Sequence, residues 1–356
     1  MTRTEKVINA IKENSDAILV CSPINQLYLT GFEYTDGYVL VTKNKSYLIA
    51  DFRYIEEAKM YADKHFEIVK FSGLNDGTIK RLLAENNVKT LMFEDLYVSC
   101  FSFEQMKSIF DDITFVPASN IIENIREYKS DIEAEYTIKA QRIAEKSLEE
   151  LITSFDKNMT EKELAAYLEY LMKKNGSDGI SFSTIAVSGK SSSLPHGVPQ
   201  NKKIENGFLT IDFGAVYKGY HSDMTRTYCI GKADDEMKKV YSIVLEAQTK
   251  AIEAIENGER NCRNIDKIAR DIIYQNGYEG CFGHGLGHGT GLEIHESPRL
   301  SPNEKEGKLL EVGHIVTIEP GIYIENKFGV RIEDMIYMSN EGPINITKMP
   351  KNLIEL

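Results

Sequence analysis

At 356 residues, with 42% hydrophobic and 27% charged residues, the chain is long enough for two domains and has the composition of an ordinary globular protein. Its net charge of −12 argues against nucleic acid or an anionic membrane surface as partner. The five cysteines (Cys21, Cys100, Cys229, Cys262, Cys281) are odd in number and form no C-x-x-C, which excludes a disulfide framework or zinc knuckle and points to a reducing, cytoplasmic setting.

The N-terminus opens on charged residues with only a short apolar run at 17–21, so it reads as neither signal peptide nor membrane span. Residues 17–21, 38–42, 47–50 and 90–93 read as strands, and 5–13, 53–63, 76–87 and 102–111 as helices. Such alternation predicts an α/β domain over residues 1–124. It carries no G-x-x-x-x-G-K phosphate loop. A charged stretch at 123–135 marks the boundary, and residues 125–356 form the second domain. A long helix is predicted over 132–155, and Thr160 with Glu163 forms a capping box for the next, which Gly176 ends. Runs at 181–187 and 208–216 read as strands. Helices follow at 234–256 and 263–276, then strands at 314–324 and 330–338. Helices followed by strands thus occur twice, as in a duplicated α+β unit.

Six of the seven histidines fall between residues 196 and 314, and three of them (His284, His288, His295) lie in GHGLGHGTGLEIHESPR, residues 283–299. The glycines remove side chains, so imidazoles can crowd one small space, and imidazole is the commonest metal ligand and proton shuttle. Four carboxylates also stand where an apolar strand has no use for them. Asp212 interrupts FLTIDFGAVY and shares a face with Thr210; Asp223 opens DMTRTYCI, with Thr225 and Thr227 on its face. Glu319 ends HIVTIEPG on the face of Thr317, and Glu333 follows in VRIEDM on the face of Arg331. A lone buried carboxylate costs several kcal/mol, and four on one polar face repel unless cations neutralise them. Two divalent ions would balance the four charges, with His288 as a fifth, neutral ligand.

These segments resemble the creatinase/aminopeptidase superfamily of pita-bread metallopeptidases (M24 type). LTIDFGA and HSDMTRT are similar to its two aspartate segments, GHGLGHGTGLEIHE to its histidine segment, and TIEPGIY and GVRIEDM to its two glutamate segments. The resemblance implies an α+β pita-bread catalytic domain, preceded by the smaller α/β domain found in prolidases and aminopeptidases P. It implies that Asp212 chelates one metal ion, that Asp223 and Glu333 bridge both, and that His288 and Glu319 bind the other. A water between the ions would lose a proton and attack the scissile carbonyl. The mostly oxygen-donor set favours Mn²⁺, with Co²⁺, Zn²⁺ or Fe²⁺ also compatible. His196, in SLPHG, would stand near the mouth of the site. His284 would hydrogen-bond the substrate or the tetrahedral intermediate, His295 would face the scissile or proline carbonyl, and Arg331 would orient a carboxylate ligand. His221 and His314 read as structural. A homodimer is also implied.

The resemblance is strongest to enzymes that cleave Xaa-Pro bonds, tertiary amides that carry no N–H. Small peptides with proline at the second position would be the substrates. Phe182 matches an aromatic position associated with the proline pocket, and Tyr217 and Tyr323 are further candidates. Arg299, four residues after His295, would bind the free carboxylate of a dipeptide, which favours an Xaa-Pro dipeptidase over an Xaa-Pro aminopeptidase acting on longer peptides. Two readings from other classes fare worse. A non-catalytic pita-bread binding protein would lack several of the five ligands. A serine hydrolase would need G-x-S-x-G, which residues 188–193 do not supply.

Overall fold

The computed structural model describes all residues, 1–356. They divide into two compact units, Met1–Arg126 and Glu127–Leu356. A boundary at 124 would cut the helix Ile121–Arg126, because the charged stretch 123–135 begins inside that helix and runs on into the helix Asp131–Thr153.

The first unit runs α1 (Arg3–Ala10), β1 (Ala17–Val20), α2 (Pro23–Thr30), β2 (Gly37–Thr42), β3 (Ser46–Ala50), α3 (Ile55–Tyr61), β4 (Phe66–Lys70), α4 (Thr78–Glu85), β5 (Thr90–Phe93), α5 (Cys100–Ile109), β6 (Thr114–Pro117) and α6 (Ile121–Arg126). The strands form one mixed sheet in the order β4-β3-β2-β1-β5-β6. Four of these elements escape the sequence pattern. Helix α2 starts at a Ser22 cap with Pro23 in its first turn, but the buried polar Asn25 and Gln26 break its apolar period. Strands β4 and β6 lie at the two sheet edges and lack a clean alternation, and α6 has only six residues.

The second unit begins with α7 (Asp131–Thr153) and α8 (Glu161–Lys174), followed by β7 (Gly179–Ile180), β8 (Ile185–Ser188), β9 (Gly207–Phe213), β10 (Ala215–Tyr217), β11 (Tyr220–His221) and β12 (Met224–Ile230). A second helix pair, α9 (Asp235–Glu256) and α10 (Cys262–Gln275), precedes β13 (Gly287–Gly289), β14 (Glu296–Leu300), β15 (Ile315–Ile318), β16 (Gly321–Ile324), β17 (Phe328–Arg331), β18 (Asp334–Ser339) and β19 (Gly342–Asn345). The capping box at α8 is formed: Thr160 Oγ1 accepts the Glu163 N–H at 3.2 Å, and Glu163 Oε2 accepts the Thr160 N–H at 2.7 Å. Helices α7 and α8 pack their apolar faces on β8, β9 and β12, while α9 and α10 pack on β14 to β18. The strands form antiparallel sheets ordered β11-β10-β7, β12-β9-β8, β14-β13-β15-β18-β19 and β16-β17.

The runs expected as single strands at 208–216, 314–324 and 330–338 are each broken, and the run at 181–187 is strand only from Ile185. The chain changes sheets between β7 and β8 and between β9 and β10, and again at Glu319-Pro320 and Ile332-Glu333. At Gly214 a Cβ would lie 1.8 Å from the Ser222 carbonyl oxygen, and Pro320 has no N–H for a ladder. An apolar period cannot reveal a change of partner when both stretches stay buried.

One buried ion pair locks this unit. Arg226, in β12, donates to Asp334 Oδ1 at 2.8 Å and to the Glu333 and Met349 carbonyls at 2.6 and 2.7 Å, and both charged side chains are almost fully buried. Removing Arg226 would leave the buried Asp334 carboxylate with Lys351 Nζ, at 2.8 Å, as its one remaining charged partner, and would leave the Glu333 and Met349 carbonyls without their guanidinium donor. Replacing Arg226 with Met should therefore cost about 3 kcal/mol or more in urea unfolding. A loss below about 1 kcal/mol, the level of an exposed pair, would show that the pair is not a lock.

Candidate metal centre

Strand register and sheet breaks gather the carboxylates. Asp212 in β9 lies opposite Thr225 of β12 and Ile185 of β8. Asp223 immediately precedes β12, while Glu319 and Glu333 occupy the breaks after β15 and before β18. His288 is the middle residue of β13, directly opposite Arg299 of β14. Its flanking glycines are required by packing, since a Cβ at Gly287 would lie 1.9 Å from the Thr317 carbonyl oxygen and one at Gly289 2.1 Å from that of Ser297.

Single ligand atoms of Asp223, His288 and Glu333 all lie within 4.8 Å of one another. His288 Nε2 is 3.5 Å from Asp223 Oδ2 and 3.4 Å from Glu319 Oε1. Its other nitrogen, Nδ1, is 3.0 Å from the Gly289 carbonyl, which can only accept, so Nδ1 carries the proton. The Nε2 lone pair therefore faces two carboxylates, an arrangement that a cation or a carboxyl proton must fill. Asp212 Oδ1 and Asp223 Oδ1 are buried with no hydrogen-bond partner. Burial and then the neighbouring carboxylates push Asp223 and Glu333 well above the usual carboxylate range. Burial pushes Glu319 up to about 8. Burial also lowers His288 to about 3 and His284 to about 4, so both rings are neutral near pH 7. The residues fit divalent cations in chemistry as well as position, as a neutral imidazole among carboxylates.

Arg331 ties the cluster to its surroundings. Its guanidinium donates to Asp212 Oδ2 at 2.5 Å, Thr225 Oγ1 at 3.0 Å, Tyr323 Oη at 2.6 Å and the Pro195 carbonyl at 3.3 Å. Thr225 in turn donates to Glu333 Oε2 at 2.6 Å, and Thr317 donates to Glu319 Oε1 at 3.2 Å. One cavity of about 570 Å³ is lined by Asp212, Asp223, His288, Glu319, Glu333 and Arg331 together with His196, His284, His295, Phe182 and Arg299. Phe182 sits in the loop between β7 and β8, half-buried, where an unbroken strand was expected. His284 differs from expectation: its Nδ1 meets the Gly285 carbonyl at 2.7 Å and its Nε2 the Tyr323 hydroxyl at 3.1 Å, so both nitrogens are engaged within the protein. His196 and His295 are exposed in the cavity wall, and their rings have no hydrogen-bond partner in the chain. Tyr217 does not line the cavity; it packs against Tyr136 with ring centroids 6.0 Å apart. His314 is fully buried, with Nδ1 accepting the Glu311 N–H at 3.0 Å.

The profile of metallopeptidase family M24 matches residues 135–340, and that of the Creatinase/Prolidase N-terminal domain matches residues 3–128. The chain belongs to metallopeptidase family M24. It is 38% identical over 355 residues to the Xaa-Pro dipeptidase of Pyrococcus furiosus, covering 99% of each chain. Among solved structures, an Xaa-Pro dipeptidase from Bacillus anthracis superposes with a TM-score of 0.93 at 39% identity, over 99% of both chains. An X-Pro aminopeptidase from Thermotoga maritima reaches 0.92 at 36% identity, covering 99% of this chain and 100% of its own. The α+β architecture with a smaller N-terminal domain is that of the prolidase structures.

Residue pattern did not reveal the linking roles of Thr225, Thr317 and Tyr323 in this metallopeptidase. The only signal was that each threonine shares a strand face with a carboxylate. The electrostatics also set a pH dependence. In the metal-free enzyme Glu319 binds its proton more tightly folded than unfolded, because its folded pKa is raised from 4.5 to about 8. That contribution to stability is fully present below the unfolded value and is lost as pH rises through the folded one. A bound cation offsets the loss. The rise in Tm produced by Mn²⁺ over EDTA should therefore be larger at about pH 8 than at about pH 5. An equal rise at both would contradict the raised carboxylates.

Proposed function

We propose that this metallopeptidase hydrolyses Xaa-Pro dipeptides, using two divalent ions held by Asp212, Asp223, His288, Glu319 and Glu333. The observation that carries the dipeptide reading is Arg299. Its guanidinium lines the cavity, is exposed, and forms no ion pair with any carboxylate of the chain. It sits opposite His288 across the β13–β14 ladder. An unpaired guanidinium beside the centre suits a free C-terminal carboxylate one residue beyond the cut bond. Phe182 offers an aromatic wall to the proline ring.

Divalent ions, when bound, supply Lewis acidity and lower the pKa of water into the neutral range. The chain's own residues do the rest. Arg331 holds Asp212, and Thr225 and Thr317 hold Glu333 and Glu319, so the carboxylates keep one geometry as charge develops. His295 and His196 have ring nitrogens free to bond the substrate carbonyl and the developing oxyanion. His284 braces Tyr323, which receives an Arg331 N–H.

The reading extends to manganese as the metal, a homodimer and a cytoplasmic setting. The oxygen-rich donor set supports the first and the resemblance the second. The third is supported by five free cysteines and by the absence of any helix long and apolar enough to cross a membrane. Xaa-Pro aminopeptidase activity is the alternative, favoured by the near-equal likeness to the Thermotoga structure. A panel of Ala-Pro, Met-Pro, Ala-Pro-Gly and Ala-Ala with Mn²⁺ decides. Cleavage of the two Xaa-Pro dipeptides alone, abolished by EDTA, is expected, whereas cleavage of Ala-Pro-Gly but not Ala-Pro would establish the alternative. Arg299→Gln should raise KM for Ala-Pro about 10–100-fold, the loss of one charge-assisted contact, and leave kcat nearly intact. An unchanged KM would remove Arg299 from the site. Asp223→Asn should abolish turnover while far-UV circular dichroism stays native. Retained turnover would reject its assignment as a ligand.

A further inference from the structure

Lys129 is a fully buried lysine with no place in the ligand set. Its side chain is 1% exposed, and its Nζ lies 2.7 Å from Glu296 Oε2, itself 7% exposed at the side chain, and 3.3 Å from the Glu127 carbonyl. The ion pair closes a turn. Glu296 Oε1 accepts the Glu293 N–H at 3.1 Å, Gly291 donates to the Glu293 carbonyl at 3.0 Å, and His221 donates to the Gly291 carbonyl at 2.8 Å. Thr290 Oγ1 donates to the Ile294 carbonyl at 3.2 Å. The turn is built around the pair: a Cβ at Gly291 would come within 2.5 Å of Glu296 Oε2 and 2.7 Å of Lys129 Cε.

The residue this turn presents is His295, next in the chain to Glu296. Its ring makes no hydrogen bond, and its neighbour in the site is His288, edge-on at 4.4 Å between ring centroids. No hydrogen bond fixes the His295 ring, so its place depends on its backbone together with the contact against His288. We propose that Lys129 is a positioning residue that acts through Glu296 to hold His295 against the substrate. The inference rests on the substrate-facing reading of His295 given above. A buried ammonium–carboxylate contact is strong and directional in a water-poor surrounding, and a shift of about 1 Å in a reacting group can cost on the order of 100-fold in rate.

A double-mutant cycle with Ala-Pro and saturating Mn²⁺ tests it, each variant assayed well below its own Tm. Lys129→Met should lower kcat/KM about 10–100-fold in the wild-type background. In the His295→Ala background it should lower it less than about 2-fold, because the group it positions is gone. A purely structural lysine gives the same factor in both backgrounds, and that outcome, or no loss in the wild-type background, overturns the proposal alone. If His295→Ala itself leaves kcat/KM unchanged, the reading of His295 fails and the proposal falls with it. Glu296→Gln keeps the volume and the acceptor for the Glu293 amide. It carries the same cycle, with the same expected and contrary results, should Lys129→Met not fold.

Discussion

An imidazole lone pair aimed at two carboxylates is unstable on its own, and this structure holds that arrangement in its interior. With Nδ1 of His288 committed to a backbone carbonyl, Nε2 faces Asp223 and Glu319 at 3.5 and 3.4 Å, with Glu333 close by. Burial drives all three carboxyls toward their protonated forms. Either protons or cations must fill the space, and in a family M24 metallopeptidase the occupants are divalent metal ions. The rest of the second unit supports that constraint. The strands break where these carboxylates stand, the glycines beside His288 admit neighbouring backbone, and Arg331 pairs with Asp212.

Two buried arginines divide that support. Arg331 works on the cavity side, bonding Asp212, Thr225 and Tyr323. Arg226 works behind the ligands, holding the Glu333 carbonyl and pairing with Asp334. Their planar, five-donor forks reach several acceptors in fixed directions, which a lysine ammonium does not set. Lys129 instead pairs with a single carboxylate, Glu296, beneath the His295 turn. The groups that remain unsatisfied in the cavity wall, and to which the proposed function gives substrate recognition, are the exposed rings of His196 and His295 and the guanidinium of Arg299.

Much of this was legible in the sequence. The five ligand candidates stood out because each carboxylate interrupts an apolar strand and because the glycines around His288 have no purpose in an ordinary strand. The long helices, read from period and caps, match α7 to α10 within a few residues. Changes of sheet were not legible, since residues on either side of Gly214, Pro320 and Ile332 are equally buried. The engagement of both His284 nitrogens was hidden too, because it depends on Tyr323, 39 residues away. For the same reason the Lys129–Glu296 pair, 167 residues apart, left no local signal. Sequence pattern reports which face a residue lies on; it does not report which long-range partner it meets.

What decides the site is whether cations, and not protons, hold these carboxylates together. Anomalous diffraction from crystals grown with Mn²⁺ tests it most directly. Two anomalous peaks should appear, enclosed by Asp212, Asp223, His288, Glu319 and Glu333, with His288 coordinating through Nε2. An absence of anomalous density in that cavity, or density that leaves Asp212 and Glu333 uncoordinated, would contradict it.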